Sequence, residues 1–261
     1  DLSKNQIVQS QYDSNFVLKY IICDNHNVDS VKNLIRKARE NARGSQDKIT
    51  KELWEHINSL YHYTNSPELP KKLETYEALG VITKLKKDLL LYNGILHVTM
   101  PRGLGWCFSS IGKNIERCLQ TIAMTQSYYK PIDYNLDGEE DLLYWRRLLL
   151  SLSGYEQYLK SYSNISHNRK IAQHVVFNKD FSHSVMYTLE LIDKYLANLS
   201  LDHTSHEART LQNQFGRLKS MVKYTDYYNL TNQQLEDVLN DTQSQLIQFS
   251  SDFSKLFFSY T

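Results

Sequence analysis

Apolar residues recur three and four positions apart along almost the whole chain, the spacing that gathers them on one side of an α-helix. Phe16, Val17, Tyr20 and Ile21 predict a short first helix that ends near "CDNHN". Asn27 or Ser30 can cap the next, which carries Val31, Leu34, Ile35, Ala38 and Ala42 and stops near Gly44. A third holds Ile49, Leu53, Trp54, Ile57, Leu60 and Tyr61. The breakers of "NSPELP" predict a loop, and a long helix follows from about Lys71 to Val98. Pro101, Gly103 and Gly105 mark a turn before a helix from Trp106 to about Tyr128. In "KPIDYNLDGEED" the acids Glu139, Glu140 and Asp141 suit the positive end of a helix running to about Tyr162. Four further helices are expected: a short one after "NISHN", then Ser182 to Leu199, Glu207 to about Tyr224, and one reaching about Phe258 that Asn229 or Thr231 can cap. Runs of β-branched residues joined by hairpin turns are missing. The expected fold is all-α, a single multi-helix bundle of roughly eight to ten helices forming one domain over residues 1–261.

Composition sharpens this picture. Four prolines and nine glycines are few for 261 residues, which favours long helices. The 30 Lys and Arg nearly cancel the 29 Asp and Glu, so no global field recruits nucleic acid or an anionic membrane. The longest apolar runs, such as Leu89-Leu90-Leu91, are far too short to span a bilayer. Cys23, Cys107 and Cys118 are odd in number and form no CxxC, which argues against a disulfide framework and fits a cytoplasmic protein.

Candidate chemistry is confined to a few stretches. In "IGKNIERCLQT" the charges Glu116 and Arg117 interrupt an apolar pattern whose face is Phe108, Ile111, Ile115, Cys118, Leu119 and Ile122. At 100° per residue Glu116 falls roughly 115° from the centre of that face and Arg117 roughly 145°. The pair either ties neighbouring helices together or builds a site. In "KNLIRKARENAR" Lys32, Arg36, Arg39 and Arg43 form one stripe beside an apolar face. Such a stripe is answered by surface acids, by Glu116, or by an anionic ligand such as a phosphate or a peptide carboxylate. In "DLLYWRRLLLSLSGYEQY" Trp145 belongs to the core pattern with Arg146 and Arg147 at its flanks, a combination that also suits an aromatic–arginine surface. His203, His206 and Glu207 have a spacing that helices use for metals, but no partner motif accompanies them, so no metal and no cofactor are expected. No P-loop, GxGxxG or GxSxG occurs, and no catalytic residue is assigned.

Five blocks in order carry a resemblance: "IRKARENARGSQDKITKELWEHIN", "GWCFSSIGKNIERCLQT", "DLLYWRRLLLSLSGYEQYLK", "VVFNKDFSHSVMYTLELI" and "LKSMVKYTDYYNL". Together they resemble the bacterial alpha-E family, helical domains of unknown function named for a Glu-Arg motif. Glu116 and Arg117 match that pair, Arg36, Arg39, Glu40 and Arg43 match its "ARENAR" block, and Trp145 and Arg146 match its "YWR" block. The resemblance implies one more helix, carrying a first Glu-Arg motif, ahead of Asp1. It also implies an acidic "RDEGW"-like pattern where this chain has "PRGLGW". As partners it implies an ATP-grasp-type ligase and a transglutaminase-like protein. The leading expectation is thus a cytoplasmic accessory or substrate-binding partner of an amide ligase or peptide-modification system. An enzyme using the Glu-Arg pair as acid/base and anion clamp, or a structural oligomerisation module, are the alternatives.

Overall fold

A computed structural model describes residues 13–162, 167–199 and 206–258. The chain divides into two units, Asp1–Gly105 and Trp106–Thr261. Among the described residues there are twelve α-helices and no strand. Twelve exceeds the eight to ten expected, because two of the long expected helices are each broken in two.

In the first unit, α1 (Ser14–Ile22) is capped by Asp13, whose carboxylate accepts from the Asn15 and Phe16 amides. Ser30 caps α2 (Val31–Gly44), and Thr50 caps α3 (Lys51–Thr64). The first broken helix lies next. After the short α4 (Leu69–Lys72) the Thr75 hydroxyl donates to the Lys72 carbonyl and accepts from the Glu77 amide. That local turn competes with helix continuation, so α5 (Ala78–Thr99) starts afresh. The core here is Ile22, Leu69, Leu73, Val81 and Leu85, with Leu18, Val31 and Tyr63 packed against it.

Helices α2 and α3 form an antiparallel hairpin. On its other side α3 runs antiparallel to α5: the Thr50 and Thr99 hydroxyls are 2.8 Å apart, and a His56 ring nitrogen lies 2.8 Å from the Asp88 carbonyl oxygen. The buried residues of α2 are Asn33, Ile35 and Ala42, whereas Leu34 and Ala38, expected on the apolar face, are exposed. Asn33 is inside because its amide donates to the carbonyls of Asn25 and Asn27, at 3.0 and 2.8 Å, and closes the preceding loop.

The second unit is built on four long helices: α6 (Leu104–Tyr129), α10 (Val185–Asn198), α11 (His206–Lys223) and α12 (Asn232–Phe258). Their contacts define an antiparallel ring. Trp106 meets Tyr195 while Thr121, further along α6, donates to the carbonyl of His183 just ahead of α10. Lys219 pairs with Asp193 at 2.5 Å, and Phe215 packs on Phe249. The ring closes where Phe108 meets Phe253 and Gln126 donates to Asn240 at 2.8 Å. Every helix therefore runs opposite to its two neighbours. Thr231 and Gln234 open α12 with a reciprocal capping box, at 3.2 and 2.9 Å.

The connection from α6 to α10 holds three short helices, α7 (Leu142–Ser151), α8 (Tyr155–Ser161) and α9 (His167–Ala172), and a π turn, Gln173–Phe177. The second broken helix is here. Ser153 takes φ 55°, its amide and that of Gly154 bond back to the carbonyls of Leu150 and Leu149, and α7 stops. Gly154 is required because a Cβ there would lie 2.6 Å from the Phe181 ring. Asn168 holds the connection together: its side-chain oxygen accepts from the Trp145 indole at 2.9 Å, its amide donates to Asn135 and Glu140, and its carbonyl accepts from Tyr129. Trp145 is thus core, fully buried.

Candidate functional site

The Glu-Arg pair lies midway along α6, whose inward face carries Cys107, Ile111, Asn114, Cys118, Ile122 and Thr125. Glu116 is on the opposite side, exposed, and accepts a hydrogen bond from Gln120 one turn later at 2.8 Å. Arg117 turns the other way, half-buried, and its Nη1 donates to the Ser182 carbonyl at a long 3.5 Å. Among the described residues neither Glu116 nor Arg117 takes part in an ion pair. Adjacent in sequence, the two side chains diverge in space.

Arg117 lies among groups that do not answer its charge. Burial lowers its pKa, and Tyr187 in the first turn of α10 is the neighbour that counteracts. His183 is held below its ordinary value by burial and then by Arg117; Lys113, one turn earlier on α6, is lowered for the same two reasons. Arg117 and His183, two groups that can carry positive charge, therefore meet at the start of α10, whose dipole also favours an anion, and Lys113 lies one turn back along α6. Such a cluster can hold a carboxylate or phosphate through the Arg117 fork. Beside it the Ser182 hydroxyl lies 3.2 Å from a His183 ring nitrogen, whereas Cys118, on the enclosed face of α6, is held as a thiol, its pKa pushed by burial up to about 12. His183 and Tyr187 escape a reading of the sequence by helical spacing, since they are more than sixty positions from Arg117.

The other candidate residues divide by role. On α2, Arg39 donates Nε to Asn58 at 2.7 Å, lies over the Tyr61 ring at 4.4 Å and the Trp54 ring at 5.8 Å, and approaches Glu40 at 3.4 Å. It joins α2 to α3. Glu40 also reaches Arg43 at 3.9 Å, so one carboxylate serves two cations. Arg36 is exposed and only weakly engaged, 3.5 Å from Asn33, and Lys32 is half-buried. Arg146 is exposed, 5.7 Å from the Tyr155 ring centre, while its neighbour Trp145 faces inward. His206 and Glu207 open α11; His203 lies outside the described residues. Among the described residues no group of three His, Cys, Asp or Glu could hold a metal ion, and no helix is long and apolar enough to cross a membrane.

A comparison with curated proteins finds no match, and neither does one with solved structures. A family model, described as a predicted alpha-helical domain with a conserved ER motif, matches residues 2–258. The chain contains one Glu-Arg dipeptide, Glu116-Arg117. With nearly its whole length matched and every described element helical, the chain belongs to the alpha-E family.

Proposed function

We propose that this chain is a cytoplasmic accessory protein of an ATP-grasp-type amide ligase, binding that enzyme or its peptide substrate through an anionic group. The observation that supports this reading most is Arg117: a half-buried guanidinium whose one hydrogen bond is long and which has no carboxylate partner among the described residues. Desolvating a cation is costly, and an anion brought by a partner offsets that cost. Glu116, exposed on a different side of α6, carries the opposite charge, so a partner that reaches both sides meets one charge of each sign. Recognition fits this divided arrangement better than proton transfer, which needs an acid and a base aimed at one atom.

The test is direct. Mixed with its ligase, the chain is expected to form a complex by size-exclusion light scattering and to alter the ligase's ATP turnover. Arg117→Ala is expected to weaken the complex by about tenfold or more, the usual loss when one partner of a desolvated charge pair is truncated. Absence of a complex together with unchanged turnover would overturn the reading.

A further inference from the structure

Helix α5 packs by one side and leaves the other bare. Val81, Leu85 and Leu96 are buried, while Leu79, Leu90 and Val98 are 73%, 71% and 82% exposed. At 100° per residue the exposed three fall within about a third of the circumference, opposite the buried three. The same stripe carries Gly80 and Gly94, and a Cβ built on either would meet nothing within 4 Å. The surface therefore carries apolar side chains toward both ends, with the polar Thr83, Lys87 and His97 in the same arc, and is flat and open at the two glycines. Single exposed leucines are ordinary, but several aligned on one helix face, rimmed by polar residues, mark an interaction site.

Charge indicates what covers it. Lys86 and Lys87 divide the stripe in the middle, and among the described residues neither has an ion-pair partner, whereas Lys84 is held by Asp88 at 2.9 Å. A second copy is a poorer occupant: a parallel pairing sets Lys87 against Lys87, and an antiparallel one centred on the stripe keeps the two lysine pairs within about a turn and a half of each other. A lipid surface gains little from two flat glycine positions, whereas a helix ridge fits over them. We infer that this face of α5 docks an amphipathic helix of a protein partner, apolar at both ends and acidic at its centre. The geometry is that of a helix-on-helix groove, with leucines giving affinity and the lysine pair setting register. This face belongs to the first unit and the Glu-Arg pair to the second, and the inference does not depend on the role of that pair.

The probes are two synthetic amphipathic peptides of about three heptads, leucine at a and d, with either Glu or Lys at the central e and g positions. In fluorescence anisotropy the full chain is expected to bind the Glu peptide at least about tenfold tighter than the Lys peptide. Leu79→Glu/Leu90→Glu should abolish that binding without changing the circular dichroism. Lys86→Glu/Lys87→Glu, which keeps the apolar stripe, should invert the preference. Several results would overturn the proposal: equal binding of both peptides, no binding of either, self-association lost in the leucine variant, or binding to phosphatidylserine–phosphatidylcholine vesicles in place of the Glu peptide.

Discussion

Helices α5 and α6 are both long, at 22 and 26 residues, and α5 is the more apolar by composition, yet α5 buries three side chains and α6 twelve. The reason is the number of neighbours each receives. Within the second unit α6 is flanked by α10 and α12, so even Ser110, Asn114, Thr121 and Thr125 are enclosed. Thr125 and the Asn114 amide donate to carbonyls one turn back in the same helix, and Thr121 to the His183 carbonyl, while the Ser110 hydroxyl and the Asn114 side-chain oxygen are enclosed with no hydrogen-bond partner among the described residues. Within the first unit α5 packs mainly against α3, and Leu89-Leu90-Leu91 points three ways that one neighbour cannot cover. Hydrophobicity supplies the drive to be buried; the arrangement of partners decides which residues are.

The sharpest way to test that contrast is a pair of truncations. Ile122→Ala, in the enclosed α6, should lower unfolding free energy by about 2–5 kcal/mol, whereas Leu90→Ala on α5 should stay within about 0.5 kcal/mol. Urea denaturation measures both; equal effects would break the comparison.

A second test addresses the densely packed connection. His174 is buried in the π turn, stacked on Phe181 at 4.4 Å between Tyr158 and Tyr162, and its Nε2 has no hydrogen-bond partner. Burial drives its pKa down to about 4, and the Gly154 backbone, close but outside hydrogen-bonding geometry, offsets this only in part. A histidine held neutral in the fold takes up protons more readily when unfolded. Its contribution is therefore complete above about pH 6.5 and is lost as pH falls toward 4, on the order of 3 kcal/mol. His174→Phe should flatten the stability profile across that window. An unchanged slope in the variant would show that other groups set it.

Smaller effects follow. Gly154→Ala forces a methyl against the Phe181 ring and should cost about 1–3 kcal/mol. Arg39→Ala removes the Asn58 hydrogen bond and the Tyr61 cation–π contact, and a loss of about 1 kcal/mol is expected from thermal denaturation. Glu116→Ala should change stability by less than about 0.5 kcal/mol, since its partner is a single exposed glutamine. A larger loss at Glu116 would give the pair a structural role that its geometry does not suggest.

Much of the fold is legible in the residues because its signals are local. Ser30 and Thr231, each one of two caps the residues allow, cap α2 and α12. The wheel of α6, by contrast, sets Glu116 nearer the core than Arg117, but the enclosed face is rotated toward Cys107, Asn114 and Thr125, so Glu116 is exposed and Arg117 half-buried. The two breaks that raise the helix count are less legible. Thr75 and Ser153 are ordinary helix residues by propensity; one turns the chain through its hydroxyl and the other adopts a left-handed backbone that glycine more often provides. The same limit applies to Arg39, whose place in a charged stripe gives no hint that Tyr61 and Asn58 engage it.

Helical period, caps and breakers, all set by residues within one or two turns, were enough to determine an all-α chain. Tertiary packing alone decided that Arg117 meets Ser182, His183 and Tyr187, that His174 is sealed in a neutral state, and that one face of α5 stays bare. Those outcomes depend on groups brought together from distant parts of the chain, and on partners that are present or missing around each helix. Neither leaves a periodic trace in the sequence.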